Sequence, residues 1–347
     1  MALLWFDGFE SYGNYLDMNV LNVPVFTSIV GESSLDFSTS YGRLNRGCRF
    51  STEARYITYN FVSTYDTLIV GVAIKNDTPT TPSFSDSVPL IGFYDGATKQ
   101  IGIHIVDEEI HVYRGSTKLG ESSGANIIKG VWAYIEVKVT IHNSAGVVTV
   151  NVNGVEQIAL TSQDTQESAN AYCTLIRLRG MYASASTQMD DLYICDDSGS
   201  KNNNFLGDVR VDVLRPNAIG TYSQFTPSAG DNFENVDEVY GPDDDSTYND
   251  GDTVGYQDSY NMGALPAPSG TTIHGFKSQI TVRKTDAGAR KCKLLTRAGT
   301  TDQLGSEIVL SDVYTTHAEI FEDNPDDSAA WEDADINAVE VGVEITA

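Results

Sequence analysis

The feature that most constrains this chain is a hydrophobic period of two. From Trp132 to His142, Ala133, Ile135, Val137, Val139 and Ile141 fall on one side of an extended backbone. Trp132, Tyr134, Glu136, Lys138, Thr140 and His142 fall on the other. Val148, Val150 and Val152 repeat the pattern against Thr149, Asn151 and Asn153. The turn-forming Asn143-Ser144-Ala145-Gly146 separates the two runs, and Asn153-Gly154 follows as a tight hairpin turn. Ile101, Ile103 and Ile105 alternate with Gly102 and His104. Asp107-Glu108-Glu109 turns the chain, and Ile110 to Tyr113 returns it. Leu68 to Lys75 is nearly continuously apolar, which predicts a strand buried on both faces. Near the end, Val339, Val341, Val343 and Ile345 alternate with polar residues or glycine. No window of helical length carries an amphipathic 3.6 period. The expectation is an all-β protein of antiparallel sandwiches.

At 347 residues the chain exceeds one ordinary domain. Cys195 to Asn204 is polar and turn-rich, and places a seam near 200–207. Two consecutive antiparallel β-sandwiches are expected, over 1–203 and 204–347. Val209, Val211 and Val213 alternate with Arg210 and Asp212 and predict the first strand of the second domain. The stretch from Asp243 to Asp258 predicts a long acidic loop, and Ile273 to Lys284 a strand.

Charge excludes several functions. The chain carries 48 acidic against 22 basic side chains, a net charge of −26. Residues 205–347 hold 26 of the acids and 9 of the bases. Such a surface repels nucleic-acid phosphates and anionic lipid headgroups. No apolar run is long enough to span a bilayer, and the N-terminus lacks the basic leader of a secretory signal. Synthesis in a cytosol is therefore expected. Cys48, Cys173, Cys195 and Cys292 are far apart, without CxxC spacing, and read as reduced, buried thiols.

Two sets of motifs resemble known proteins. Trp5-Phe6-Asp7-Gly8-Phe9-Glu10, Trp132 to Lys138, Val148 to Gly154 and Met189-Asp190-Asp191-Leu192-Tyr193-Ile194 follow the order of the laminin-G-like, concanavalin-A-like jelly roll. Phe205 to Arg210, Leu214-Arg215-Pro216, Phe225 to Ser228 and Val236-Asp237-Glu238 are similar to a segment that follows this jelly roll in virion proteins of tailed bacteriophages. The resemblance implies a structural virion protein: a tail or neck appendage such as a fibre or adaptor, or a head decoration that reinforces the capsid. Its implied partners are other tail, neck or capsid proteins and further copies of itself, a trimer by that context. Host-surface carbohydrate is the implied ligand of an attachment role.

Candidate chemistry is sparse. Jelly-roll glycosidases place two carboxylates in a groove, in the form Glu-x-Asp-x-x-Glu, which this chain lacks. Asp107, Glu108 and Glu109 sit on a turn facing water. Glu136 and Lys138 share a strand face and read as a solvated charge pair. HExxH, GxSxG, Walker and GxGxxG motifs are missing, so no enzymatic activity and no obligatory cofactor is expected. Asp190 and Asp191 are adjacent in a strand and should point to opposite faces, one anchoring a loop. The resemblance also admits a calcium ion at such an Asp. Asp243, Asp245, Asp250 and Asp252 form the most charged patch. Counted from Asp243, an EF-hand loop would need Gly at Tyr248 and Glu at Val254, so only another calcium geometry could apply. Tyr256 and Tyr260, in an Asp- and Asn-rich context, are candidates for stacking on sugar rings.

Overall fold

The computed structural model describes residues 2–14, 25–30 (backbone only), 35–52, 55–76, 88–181 and 186–347. These residues form two compact units, which divide between Val211 and Asp212; residues 204–211 lie with the first.

The first unit is an antiparallel sandwich of jelly-roll type. Its strands are β1 (Leu3–Asp7), β2 (Val25–Val30), β3 (Leu35–Ser38), β4 (Gly47–Phe50), β5 (Tyr56–Tyr65), β6 (Thr67–Asn76), β7 (Ile91–Asp95), β8 (Thr98–Val106), β9 (Glu109–Arg114), β10 (Thr117–Glu121), β11 (Ala133–Thr140), β12 (Gly146–Val152), β13 (Val155–Gln163), β14 (Cys173–Arg179) and β15 (Thr187–Cys195). One sheet has eight strands in the order β13-β12-β11-β6-β15-β4-β3, with β1 also paired to β15. The other has seven in the order β10-β9-β8-β7-β14-β5-β2.

The period-two residues are the ones buried. Ile135, Val137 and Val139 of β11 are in the core, with Val70, Val72 and Ile74 of β6 on the same sheet. Ile57, Phe93, Ile101, Ile103, Ile176 and Leu178 supply the buried rows of the seven-stranded sheet. Strand β6 lies between β11 and β15 and is buried along almost its whole length, as its apolar run predicts. Asn153 and Gly154 both take positive φ, at 50° and 76°, which gives the hairpin turn the right-handed twist of its strands. The four cysteines are buried and free.

The alternating Val209, Val211 and Val213 do not start a strand. A period of two needs a neighbouring edge to become a strand. Here the main-chain N–H groups of Leu206, Gly207 and Val211 donate instead to side chains of the first unit: the Tyr193 hydroxyl, Glu136 and Asp191. Residues 205–211 are thereby an extended strap on the outer side of the eight-stranded sheet.

The second unit contains a five-stranded antiparallel sheet of β16 (Pro216–Ser223), β19 (Gln257–Met262), β24 (Glu340–Ile345), β21 (Lys291–Ala298) and β22 (Thr301–Val309), in that order. Two ribbons accompany it: β17 (Thr226–Pro227) with β18 (Asn249–Asp250), and β20 (Phe276–Val282) with β23 (Thr315–Phe321). Trp331, Ala298, Ile336 and Val339 form a small core, with Phe276 and Phe321 packed against it. The longest α-helix among the described residues is one turn, Asp333–Ile336. Among those residues no helix is long and apolar enough to cross a membrane.

Candidate functional site

The strap covers the most unusual chemistry of the first unit. Strand β15 carries a bulge between Asp190 and Tyr193 where it pairs with β6, and Asp191 has φ 51°. A bulge breaks the alternation of faces. Asp190 and Asp191 therefore do not point to opposite sides: both are buried, at 2% and 4% exposure. Asp190 Oδ2 accepts the Arg43 main-chain N–H at 2.7 Å, and its Oδ1 accepts the Asp191 N–H at 2.8 Å. Asp191 Oδ1 accepts the Val211 N–H at 2.8 Å, and its Oδ2 pairs with Arg43 Nη1 at 3.1 Å. Arg43 also reaches Asp208 Oδ1 at 2.8 Å and the Val209 carbonyl at 3.3 Å. The expected anchoring role thus falls to both aspartates, and what they anchor is the strap.

Two acids, one at the end of the first strand and one in the turn that follows it, complete the cluster. Asp7 ends β1 and accepts the Phe9 N–H and the Tyr12 hydroxyl, at 2.9 and 2.6 Å. Glu10 folds back over Gly8. A Cβ at Gly8 would lie 2.2 Å from Glu10 Oε2 and 2.6 Å from the Val211 carbonyl oxygen, so only glycine allows this approach. Burial, and secondarily the neighbouring Asp190, push the Glu10 carboxyl up to about 10. Burial and Asp191 raise Asp190 as well, to about 8. The sequence holds these residues in its Asp7-Gly8-Phe9-Glu10 and Asp190-Asp191 motifs, yet nothing local tells that they converge. The cluster is built of oxygen donors, the kind calcium takes, but each carboxyl oxygen of Asp7, Asp190 and Asp191 already accepts an N–H or a hydroxyl or pairs with Arg43.

Glu136 corrects a second expectation. It lies on the outer side of β11, as its alternation predicts, but it is not a solvated partner of Lys138. It is only 1% exposed, and its Oε1 accepts the Tyr193 hydroxyl at 2.6 Å and the Gly207 N–H at 2.8 Å. The strap shields it from water.

The outer face of the seven-stranded sheet is aromatic and cationic. Tyr56, Tyr94, Arg177 and Arg179 alternate with the core residues Ile57, Phe93, Ile176 and Leu178. The Arg177 guanidinium lies 4.3 Å from the Tyr94 ring centroid and 5.0 Å from that of Tyr56, and Arg179 lies 5.1 Å from Tyr56. Further along, His104 meets the Tyr113 ring edge-on at 4.9 Å. Burial, then Lys99 and His111, lower His104 to about 3. Gly92 and Gly102 are cross-strand neighbours, and Pro89 approaches both where a Cβ would stand.

In the second unit the other predicted residues do not converge. Asp243 accepts from Thr247, closing its own turn. Asp245 pairs with Arg283 and accepts the Tyr314 hydroxyl. Asp250 is exposed in β18, and Asp252 accepts from Thr253. Tyr256 is exposed, whereas Tyr260 is buried, its hydroxyl donating to Asp258 at 2.7 Å and accepting from Asn249 at 2.8 Å. Asp258, expected to close the acidic loop that starts at Asp243, lies instead in β19. It is fully buried and also accepts the Gln224 and Phe225 N–H groups and the Asn232 side-chain amide, a polar knot that holds the loop from Gln224 to Asn232.

A scan against models of protein families matches none, and no curated protein matches the sequence. Solved structures do. Cellulose induced protein Cip1 is 14% identical with a TM-score of 0.40, over 55% of this chain and 96% of its own. The alginate lyase Aly36B, as a double mutant in complex with alginate trisaccharide, is 12% identical with a TM-score of 0.39, over 56% and 97%. A carbohydrate esterase from the Shiga toxin-encoding bacteriophage phi24B is 15% identical with a TM-score of 0.32, over 49% and 89%.

Proposed function

We propose that this chain is a non-enzymatic structural protein of a tailed-phage particle, a tail or neck appendage whose first unit binds carbohydrate of the host surface. The virion assignment rests on the sequence motifs of the jelly roll and of the segment that follows it. The carbohydrate assignment rests on one observation: on the face of the sheet away from the core, Arg177 lies against the half-buried Tyr56 and the buried Tyr94, which leaves Arg177 and the Tyr56 ring as the groups a ligand can meet. Tyrosine rings stack on the apolar faces of sugars, and guanidinium forks bind carboxylates in a bidentate manner. That pairing suits an acidic saccharide.

Binding to an array of acidic and neutral oligosaccharides tests the reading. Acidic ligands should bind the wild type, and Arg177→Ala with Tyr56→Ala should abolish the signal while the far-UV circular dichroism is kept. Equal binding by the double variant would refute the site. Copy number per purified particle, measured by mass spectrometry against the major capsid protein, tests the location. A few dozen copies or fewer support an appendage, and a ratio near that of the capsid protein would make it a head decoration.

Calcium is proposed as the resident ion of the strap cluster, held by Glu10 and Asp190. It would supply positive charge to acids that are otherwise costly to ionise in a buried place. Millimolar calcium should raise the melting temperature of the first unit, chelator should reverse the gain, and Glu10→Gln should remove the response. A calcium response undiminished in Glu10→Gln would refute this assignment.

A further inference from the structure

The last hairpin of the seven-stranded sheet gathers a second, different donor set. Glu109 and His111 are two residues apart in β9, so they project from the same face. In the register of β9 with β10, Glu121 stands directly across from His111. Adjacent strands place such pairs side by side, so all three groups share one outer patch. Their metal-capable atoms lie within 4.8 Å of one another: His111 Nε2 is 3.4 Å from Glu121 Oε2 and 3.7 Å from Glu109 Oε2.

We propose that Glu109, His111 and Glu121 form a binding site for a divalent first-row transition ion, with zinc as the best fit. Zinc bonds to nitrogen and oxygen of about 2.05 Å make the edge of its coordination tetrahedron about 3.3 Å. The two donor separations from His111 are close to that edge, so closing the site on the ion asks mainly that the two glutamates, within 4.8 Å of each other, draw together. The imidazole selects zinc, nickel or copper over calcium, which takes oxygen donors only. Three protein ligands leave a fourth position for water. The site is independent of the carbohydrate and calcium readings and shares no residue with them.

Lys118 supplies a built-in competitor. A bulge between Lys118 and Gly120 puts Lys118 and Glu121 on the same face, although three residues separate them. The Lys118 ammonium pairs with the same Glu121 Oε2 that would bind the ion. Zinc must displace it, so removal of this ammonium should strengthen binding.

Zinc chloride titrated calorimetrically into the tag-free full-length chain, in millimolar calcium to occupy all-oxygen sites, tests the proposal. One equivalent should bind. His111→Gln and Glu121→Gln should each weaken the affinity about tenfold or more, and Lys118→Met should tighten it. The zinc-induced rise in melting temperature of the wild type and of Lys118→Met provides a readout that needs neither ligand variant to fold. An affinity unchanged in a folded His111→Gln protein, no binding by the wild type, or an affinity unchanged in Lys118→Met would each overturn the site.

Discussion

Replacement of Tyr193 by Phe isolates the interaction that holds the strap. The ring stays in place over Gly71, so no cavity opens, and only the hydroxyl is lost. That hydroxyl donates to Glu136 Oε1 at 2.6 Å and accepts the Leu206 N–H at 3.2 Å. Hydrogen bonds to charged groups contribute about 1.5–3 kcal/mol net. Leu206 is half-buried, so water replaces part of its lost acceptor. The sum is about 2 kcal/mol. For a unit of this size that is a fall of roughly 4–8 °C in melting temperature. Urea unfolding followed by fluorescence gives the free energy, and limited proteolysis between 204 and 211 should become faster because the strap has lost one of its ties. The double variant Tyr193→Phe with Glu136→Gln should cost less than the sum of the singles, since both act on one contact. A loss below about 0.5 kcal/mol with unchanged proteolysis would refute the claim that Glu136 and Tyr193 fasten residues 205–211.

Three further outcomes follow from the same structure. Trp331 is 3% exposed, packs on Phe276 at 5.4 Å between ring centroids and donates its Nε1–H to the Phe321 carbonyl; Trp331→Ala should destabilise the second unit by about 3–5 kcal/mol in denaturant unfolding, and Trp331→Phe by clearly less. Gly71→Ala would set a Cβ 2.0 Å from Tyr193 Cε1, so it should destabilise the first unit by about 1–3 kcal/mol or more by overpacking, read as a lower urea midpoint. His104, at 1% exposure, is lowered to about 3 from an unfolded value near 6.5. Its contribution is therefore fully present above pH 6.5 and is lost as the pH falls toward 3, by at most about 1.4 kcal/mol per pH unit. His104→Gln should flatten the acid limb of the stability profile, and the wild-type imidazole should show no NMR titration between pH 5 and 8.

The candidate sites were unevenly legible. Asp190 and Asp191 stand out as adjacent acids in a strand motif, but Glu10, more than 170 positions away in sequence, gives no sign that it joins them. Asp243, Asp245, Asp250 and Asp252 attract attention by charge density alone. In the fold, Asp243 and Asp252 engage their own loop, Asp245 meets Arg283 and Tyr314, and Asp250 lies exposed in β18. Arg177 and Tyr94 become neighbours only because β14 pairs with β7, which no local pattern announces.

What the sequence determined by itself is local. The alternation of Ile135, Val137 and Val139 against Glu136 and Lys138 specifies a strand and assigns each residue to a face, because successive side chains of an extended backbone must point opposite ways. Asn153-Gly154 specifies a turn, because both residues tolerate positive φ. Tertiary structure decided which faces see water and which extended segments become strands. Val209 and Val211 alternate as convincingly as Val148 and Val150, yet neither N–H meets a neighbouring strand: that of Val211 donates to the Asp191 side chain on a finished sheet, and that of Val209 to the Gly207 carbonyl two residues back. Glu136 kept its predicted face and lost its predicted solvent, since burial depends on what the rest of the chain lays over that face, and here it lays residues 205–211.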